Sequence, residues 1–404
     1  MLFFFIYILS VILFGSIAIG PFSIRVYMTC AMMLYLLVQT FKSASSKYIP
    51  VGHSLLGLYL AFLAVMGISL MFNGEIVEYG YLKKLLAYHL VCIVTFIAIE
   101  RYLNNYVDLQ KIILLLAAVL LLNNVVTILQ YYDNQIGWVV GSVFSDIESN
   151  IDYASTHETL LGSSQTPGIM GGVVRNAFFI AVVTPLVLVF TDNRNTKFIR
   201  ILGLIIATSS VIACFMTQQR TALLLILIAL GVYIYSEFLR KPILTLLLAF
   251  AAYCLFLRDW QINPEDLGRF VDNTDDMRLR LYAAAIDYIN QHPIFGGPME
   301  FQRIAGLSSH NLIFDSWIFA GIGGLLVMLV LFVKTVIKGV GTMIMGLKQN
   351  HQNGYFIFTA LSTLNAMAYG LFHNTSYLTG DVIIFISLPI MLKLVELRNN
   401  NVIA

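Results

Sequence analysis

Apolar residues occupy this chain in long runs separated by short polar stretches, a spacing unlike the one-sided helices or alternating strands of a water-soluble fold. A helix needs about 20 mostly apolar residues to cross a bilayer. Runs of that kind recur at approximately 2–19, 22–41, 51–72, 84–100, 111–131, 169–191, 199–217, 221–236, 241–257, 311–333, 355–372 and 378–396. They predict an all-α polytopic membrane protein of about 12 transmembrane helices, organised as a single integral membrane domain over residues 1–404. No regular alternation of short strands is present, which argues against a barrel. The first run lacks a basic leading segment and passes directly into the second, so it is expected to be a retained span.

Composition agrees: 59% of the residues are hydrophobic and 11% charged, which excludes a soluble protein. The net charge of +2 points to no nucleic-acid partner. Cys30, Cys92, Cys214 and Cys254 all fall within apolar runs and have no paired loop spacing, so neither a disulfide framework nor a metal site is expected.

Charge placement is more informative than its total. With both termini cytoplasmic, the inner loops collect fourteen of the twenty-four basic residues, among them Lys42, Arg101, Lys197, Arg240 and Lys348. Two long connections then fall outside. The first, 132–168, holds Asp133, Asp146, Glu148, Asp152 and Glu158 and no Lys or Arg. The second, 258–310, contains a helix that starts after acidic Asp275 and Asp276, carries Met277, Leu281, Ala284 and Tyr288 on one face, and stops at Pro293, Gly296 and Gly297. It is expected to lie on the membrane surface with its apolar face down, as a helical cap. Trp138, Trp260 and Trp317 fall near the same boundary, as an interfacial aromatic belt would.

The ten basic residues on the outer side are Arg25, Lys83, Lys84, Arg175, Arg220, Arg258, Arg269, Arg278, Arg280 and Arg303, eight of them arginines. Arginine binds phosphate and carboxylate bidentately, so an outer anion site is the natural reading. Snorkelling, or pairing with nearby Asp259, Glu265 and Asp272, is the alternative for any one of them. Three stretches converge there. Arg220 stands in a tight hairpin between two spans, Arg278 and Arg280 sit in the first turns of the surface helix, and His310 opens the span at 311–333 with Asn311 beside it and Asp315 about one turn on. A histidine that exchanges a proton near neutral pH is a candidate base; a helix-end histidine bonded to a loop carbonyl is the structural alternative.

These residues carry a resemblance. In "HNLIFDSWIFAGIGG", His310, Asn311, Gly321 and Gly324 fill a pattern that resembles the bacterial O-antigen ligases; Arg220 and Leu224 in "RTALL" look like a second ligase motif. Arg278, Tyr282, Pro293 and Gly296 are similar to a third, shared with the wider ligase and polymerase superfamily. The specific motifs lie between about 217 and 324, and the rest matches by hydropathy alone.

The resemblance implies a C-type glycosyltransferase-like architecture in the bacterial inner membrane, working without metal or cofactor. An undecaprenyl-pyrophosphate-linked glycan would be the donor and lipid A-core the acceptor, met among membrane lipids at the periplasmic face. It implies His310 as the base that activates the acceptor hydroxyl, with Arg278 and Arg220 neutralising the departing pyrophosphate. Arg280, Asn311, Arg175, Tyr282 and His373 are the expected substrate-binding residues. An O-antigen or capsular polysaccharide polymerase of the same superfamily is the near alternative, and a polytopic transporter or flippase the remote one. Gly321 to Gly324 are expected to serve as a packing seam between helices. "FHNTSYLTGD", with His373 and Asp381, reads either as a wall of the acceptor groove or as a solvated turn.

Overall fold

The computed structural model describes residues 2–15, 17–42, 53–144, 166–191, 195–238, 275–348, 354–373 and 377–399. They are almost entirely helical: α1 (Leu2–Leu13), α2 (Ile24–Lys42), α3 (His53–Phe72), α4 (Tyr81–Tyr102), α5 (Tyr106–Tyr131), α6 (Gln135–Phe144), α7 (Val173–Leu188), α8 (Lys197–Met216), α9 (Arg220–Phe238), α10 (Asp275–Gln291), α11 (Pro298–Ala305), α12 (Leu312–Lys348), α13 (Gly354–Phe372) and α14 (Ile384–Asn399). Among the described residues, eight helices are long and apolar enough to span a membrane, and the chain is a multi-pass membrane protein. The expected twelve are not all matched at that length. The run 241–257 lies outside the described residues, α9 carries its apolar stretch only over Arg220–Ile234, and α1 is short. The run at 2–19 is cut because Ala18–Ile19 (β1) and Phe22–Ser23 (β2) pair antiparallel around a Gly20–Pro21 turn, in which Gly20 takes φ +66°.

The centre of the bundle is α7, flanked by α5, α8, α9 and α13, with α12 packed along α13 and α3. Pro185 inside α7 cannot donate to the carbonyl of Ala181. Asn365 on α13 supplies the missing donor, its Nδ2 lying 2.9 Å from Ala181 O, while Ser362 Oγ donates to Val182 O at 2.7 Å. A proline is tolerated in a lipid-buried helix when a neighbouring helix satisfies the freed backbone.

Part of the apolar face of α10 is covered by protein: Ala285, Tyr288 and Ile289 pack with Phe301 of α11 and Ile318 of α12. Helix α11, not anticipated, is held to the α3–α4 connection, because Glu75 accepts from the N–H groups of Met299 and Glu300 at 3.0 and 2.9 Å. Nor is 132–168 wholly a loop. It includes α6, in which Trp138 is buried.

Helix α12 is broken. Gly321 takes φ 63° and ψ −165°, outside any helical region, and the Pro293–Gly297 turn enters the break. Pro293 O accepts from Ile322 N at 3.1 Å and from Trp317 Nε1 at 2.9 Å. The expected packing seam therefore divides: Gly324 approaches Phe62 of α3, whereas Gly321 is a receptor for a loop.

Candidate active site

At one end of the bundle α1 finishes and α2, α4, α7, α12 and α14 begin, and there the polar side chains gather around two adjoining cavities. The smaller, about 290 Å³, is lined by Arg25, Tyr88, Arg175, His310 and Asp381, with an apolar wall that includes Ile12, Leu13 and Phe178. The larger, about 410 Å³, includes Tyr79, Lys84, Ser308, Asp315 and Gln302 in its lining. Tyr88, Arg175 and Thr379 border both.

Each of these groups is positioned by an identifiable device. Arg175 stands in the first turn of α7, and the turn that leads into it is held by a buried polar cradle. Asn123 Oδ1 accepts from Ile169 N at 3.1 Å, Gln130 Oε1 accepts from Gly168 N at 2.8 Å, and Asn176 Nδ2 donates to Thr166 O at 3.0 Å. Gly168 takes φ +59°, and a Cβ there would stand 2.5 Å from Asn123 Oδ1, so only glycine fits the cradle. Arg25 opens α2 with its guanidinium carbon 4.5 Å from the centre of the Tyr88 ring. Its Nε is buried and has no hydrogen-bond partner among the described residues. Tyr88 itself lies in a π-helical turn, Leu85–His89, within α4; such turns concentrate at functional sites.

Asp381 precedes α14, and its Oδ1 accepts from Ile383 N at 3.1 Å. Burial raises its pKa above the usual carboxylate range, while the Ile383 hydrogen bond and the charges of Arg175 and Arg25 oppose that rise.

His310 has φ +56°, a left-handed backbone uncommon for a residue with a Cβ. Its neighbours enforce that conformation. Ser309 donates from both N and Oγ to Asp315 Oδ1, at 2.9 and 2.7 Å. Asn311 caps α12, its Oδ1 accepting from Ile313 N at 2.9 Å, and its Nδ2 donates to Leu371 O at 2.8 Å. Residues held in such regions cost of the order of 1–3 kcal/mol each and cluster at functional sites.

Residues 202–329 match the family model described as O-antigen ligase. That segment is similar to the O-antigen ligase family. A search of curated proteins returns no match. The matched segment runs from α8 into α12 and so contains Arg220, Arg278, Arg280, Tyr282, His310 and Asn311, whereas Arg25 and Arg175 come from helices outside it and Asp381 from the turn before α14. Thr166 Oγ1 donates to Met216 O at 3.1 Å, joining the Arg175 turn to the matched segment.

The predicted residues divide on position. His310 and Arg175 line the smaller cavity together. The amide of Asn311 is engaged in capping and in the bond to α13. Arg220 begins α9 directly after the tight Thr217–Gln219 turn, is exposed, and lies outside the lining of both cavities. Arg278 is a helical residue of the first turn of α10; Arg280 is exposed on the same helix, and the Tyr282 ring lies 5.5 Å from that of Phe314. His373 is buried at the end of α13, stacked on Tyr369 with ring centres 4.4 Å apart. Sequence reasoning counted Arg25 and Lys84 among the outer cations without giving them a site, and it missed Tyr88. The available signal was an arginine one residue inside a span, costly there unless something meets it.

Proposed function

We propose that this chain is an O-antigen ligase, transferring an undecaprenyl-pyrophosphate-linked polysaccharide to lipid A-core oligosaccharide. It would act as one integral domain of the inner membrane, with both termini cytoplasmic and the 132–168 and 258–310 segments periplasmic. One observation carries the reading: His310 of the matched segment shares a cavity with Arg25 and Arg175, next to an apolar wall. Two guanidinium groups suit a diphosphate, and the wall suits the first units of its polyprenyl chain.

In the proposed step the acceptor hydroxyl oxygen bonds to the anomeric carbon of the donor. The bond from that carbon to the diphosphate oxygen breaks, its electron pair leaves with the diphosphate, and the hydroxyl proton passes to His310. Arg25 and Arg175 stabilise the charge that grows on the leaving group, where fixed donors are most effective. Asp381 faces the same cations and balances them before the donor arrives. Arg278 remains proposed as a further cation at the donor, and Arg220 is given no contact with it.

Purified protein, lipid-linked glycan and lipid A-core make up the test, run with and without a chelator. Transfer to the core is expected to persist with chelator, to be lost in His310→Ala, and to fall by at least tenfold in Arg25→Gln and Arg278→Ala, corresponding to about 1.4 kcal/mol of transition-state stabilisation or more. Full transfer by His310→Ala overturns the mechanism. Elongation of a second lipid-linked repeat, with the core left unmodified, would instead make the protein a polymerase.

A further inference from the structure

We propose that the larger cavity is the acceptor-glycan site, and that the free oxygen of the Asp315 carboxylate receives hydroxyl hydrogens from one pyranose ring. The proposal rests on the glycosyl-transfer reading above and names where its second substrate lies.

The two oxygens of Asp315 are differently occupied. Oδ1 accepts both bonds from Ser309, whereas Oδ2 is buried with no hydrogen-bond partner among the described residues, in a side chain that lines the larger cavity. A buried carboxylate oxygen is costly unless a donor reaches it. Sugar hydroxyls are such donors, and a diphosphate is not. The positive charge of Lys84 is already met in part, with its Nζ 3.5 Å from the centre of the Tyr79 ring. Among the described residues no three His, Cys, Asp or Glu side chains gather in a way that would hold a metal ion there.

The remaining lining fits a carbohydrate. Tyr79 and Phe319 meet edge to face, with centres 5.4 Å apart, and give ring surfaces against which the C–H face of a pyranose can pack. Gln302 offers an amide that both donates and accepts at the same wall. At about 410 Å³ the cavity lies within the roughly 300–1,000 Å³ of small-ligand pockets.

Its position also fits. Ser308 lines this cavity and His310, two residues on, lines the other, so one pinned turn faces both. A sugar held by Asp315 and a donor held by Arg25 would meet along the border formed by Tyr88, Arg175 and Thr379.

The test uses the full chain in lipid nanodiscs, with donor and lipid A-core titrated separately, and lipid A-core binding measured directly without donor. Asp315→Asn, which weakens one hydrogen bond to a charged group, is expected to raise the acceptor KM about tenfold. Gln302→Ala, which removes an amide partner, and Leu307→Trp, which crowds the cavity from its exposed edge, are each expected to raise it as well. The donor KM should stay within about twofold of wild type on the same scale. Because Asp315 also holds Ser309, its variant alone does not decide; an unchanged acceptor KM in both Gln302→Ala and Leu307→Trp overturns the proposal. An equal rise in donor KM also overturns it. Wild-type protein that binds lipid A-core, loses that binding in the variants and transfers nothing would refute the ligase reading while sustaining the cavity. If the same variants raise the KM for a lipid-linked repeat instead, the cavity is sustained as the acceptor site of a polymerase.

Discussion

Replacing Gly321 by alanine should destabilise the protein more than any other single-methyl addition along α12. The backbone there, at φ 63° and ψ −165°, lies in a region essentially restricted to glycine, and occupying it with another residue costs about 1–3 kcal/mol. The new Cβ would also overlap the Ile294 carbonyl oxygen and stand 2.6 Å from the Ile294 carbonyl carbon, so the inserted turn must withdraw. Withdrawal breaks the bonds from Ile322 N and Trp317 Nε1 to Pro293 O, each contributing about 0.5–1.5 kcal/mol net. The sum, about 2–6 kcal/mol, is a large part of a stability that commonly totals about 5–15 kcal/mol. Gly341→Ala is the control: that residue is helical, meets nothing within 4 Å, and should gain about 0.5–1 kcal/mol from alanine. Thermal unfolding of the purified variants in one detergent should show a clear loss for Gly321→Ala and none for Gly341→Ala. Coincident melting curves would refute the inserted-turn account, because neither the strained backbone nor the displaced turn could then be present.

Two further measurements test the packing and the charge balance. Asn365→Leu leaves Ala181 O without its donor and should cost about 1–3 kcal/mol, but much less in a Pro185→Ala background, where the backbone N–H of residue 185 can take the donor's place; equal costs in the two backgrounds, measured as a double-mutant cycle, would show that Asn365 does not serve the proline. Asp381 has its pKa raised by burial, so the folded chain holds that proton at a pH where an unfolded Asp, near 3.9, has lost it. Stability from this group is thus present below the unfolded value and declines as pH rises through the folded one. Relative to Asp381→Asn, the wild-type melting temperature should fall progressively over that interval, and a pH-independent difference would contradict the assignment.

The fold was legible where a single physical signal sufficed. Each of the runs apart from 241–257, which lies outside the described residues, contains a helix, because length and hydrophobicity alone select that structure in lipid. Signals that depend on a partner were weaker. The face of α10 is apolar whether it meets lipid or protein, and only Phe301 and Ile318 decide which. Small residues at 321–324 read as a helix seam, yet Gly321 is there because a turn nearly thirty residues earlier in the chain must approach its backbone. At the candidate site, His310 was legible from its place at a helix start beside Asn311. Arg25 was legible only as one of the outer cations, Asp381 only as part of the polar stretch that could wall a groove, and Tyr88 not at all, since nothing within α2, α4 or the approach to α14 indicates that these elements meet.

Those distant contributions explain why the family-matched segment cannot account for the site by itself. It supplies His310 and Asp315 on one pinned turn, but both cations of the smaller cavity come from α2 and α7. Bringing two arginines together is unfavourable; the Tyr88 ring meets the charge of Arg25, while the Asn123, Gln130 and Asn176 cradle fixes the backbone that leads to Arg175. Asp381 supplies the counter-charge; burial raises its pKa, and the charges of Arg175 and Arg25 oppose that rise. The π turn then gives the arrangement its division. By lining both cavities, Tyr88 both faces the Arg25 charge and borders the aromatic cavity, so a change in that turn should disturb donor and acceptor steps together.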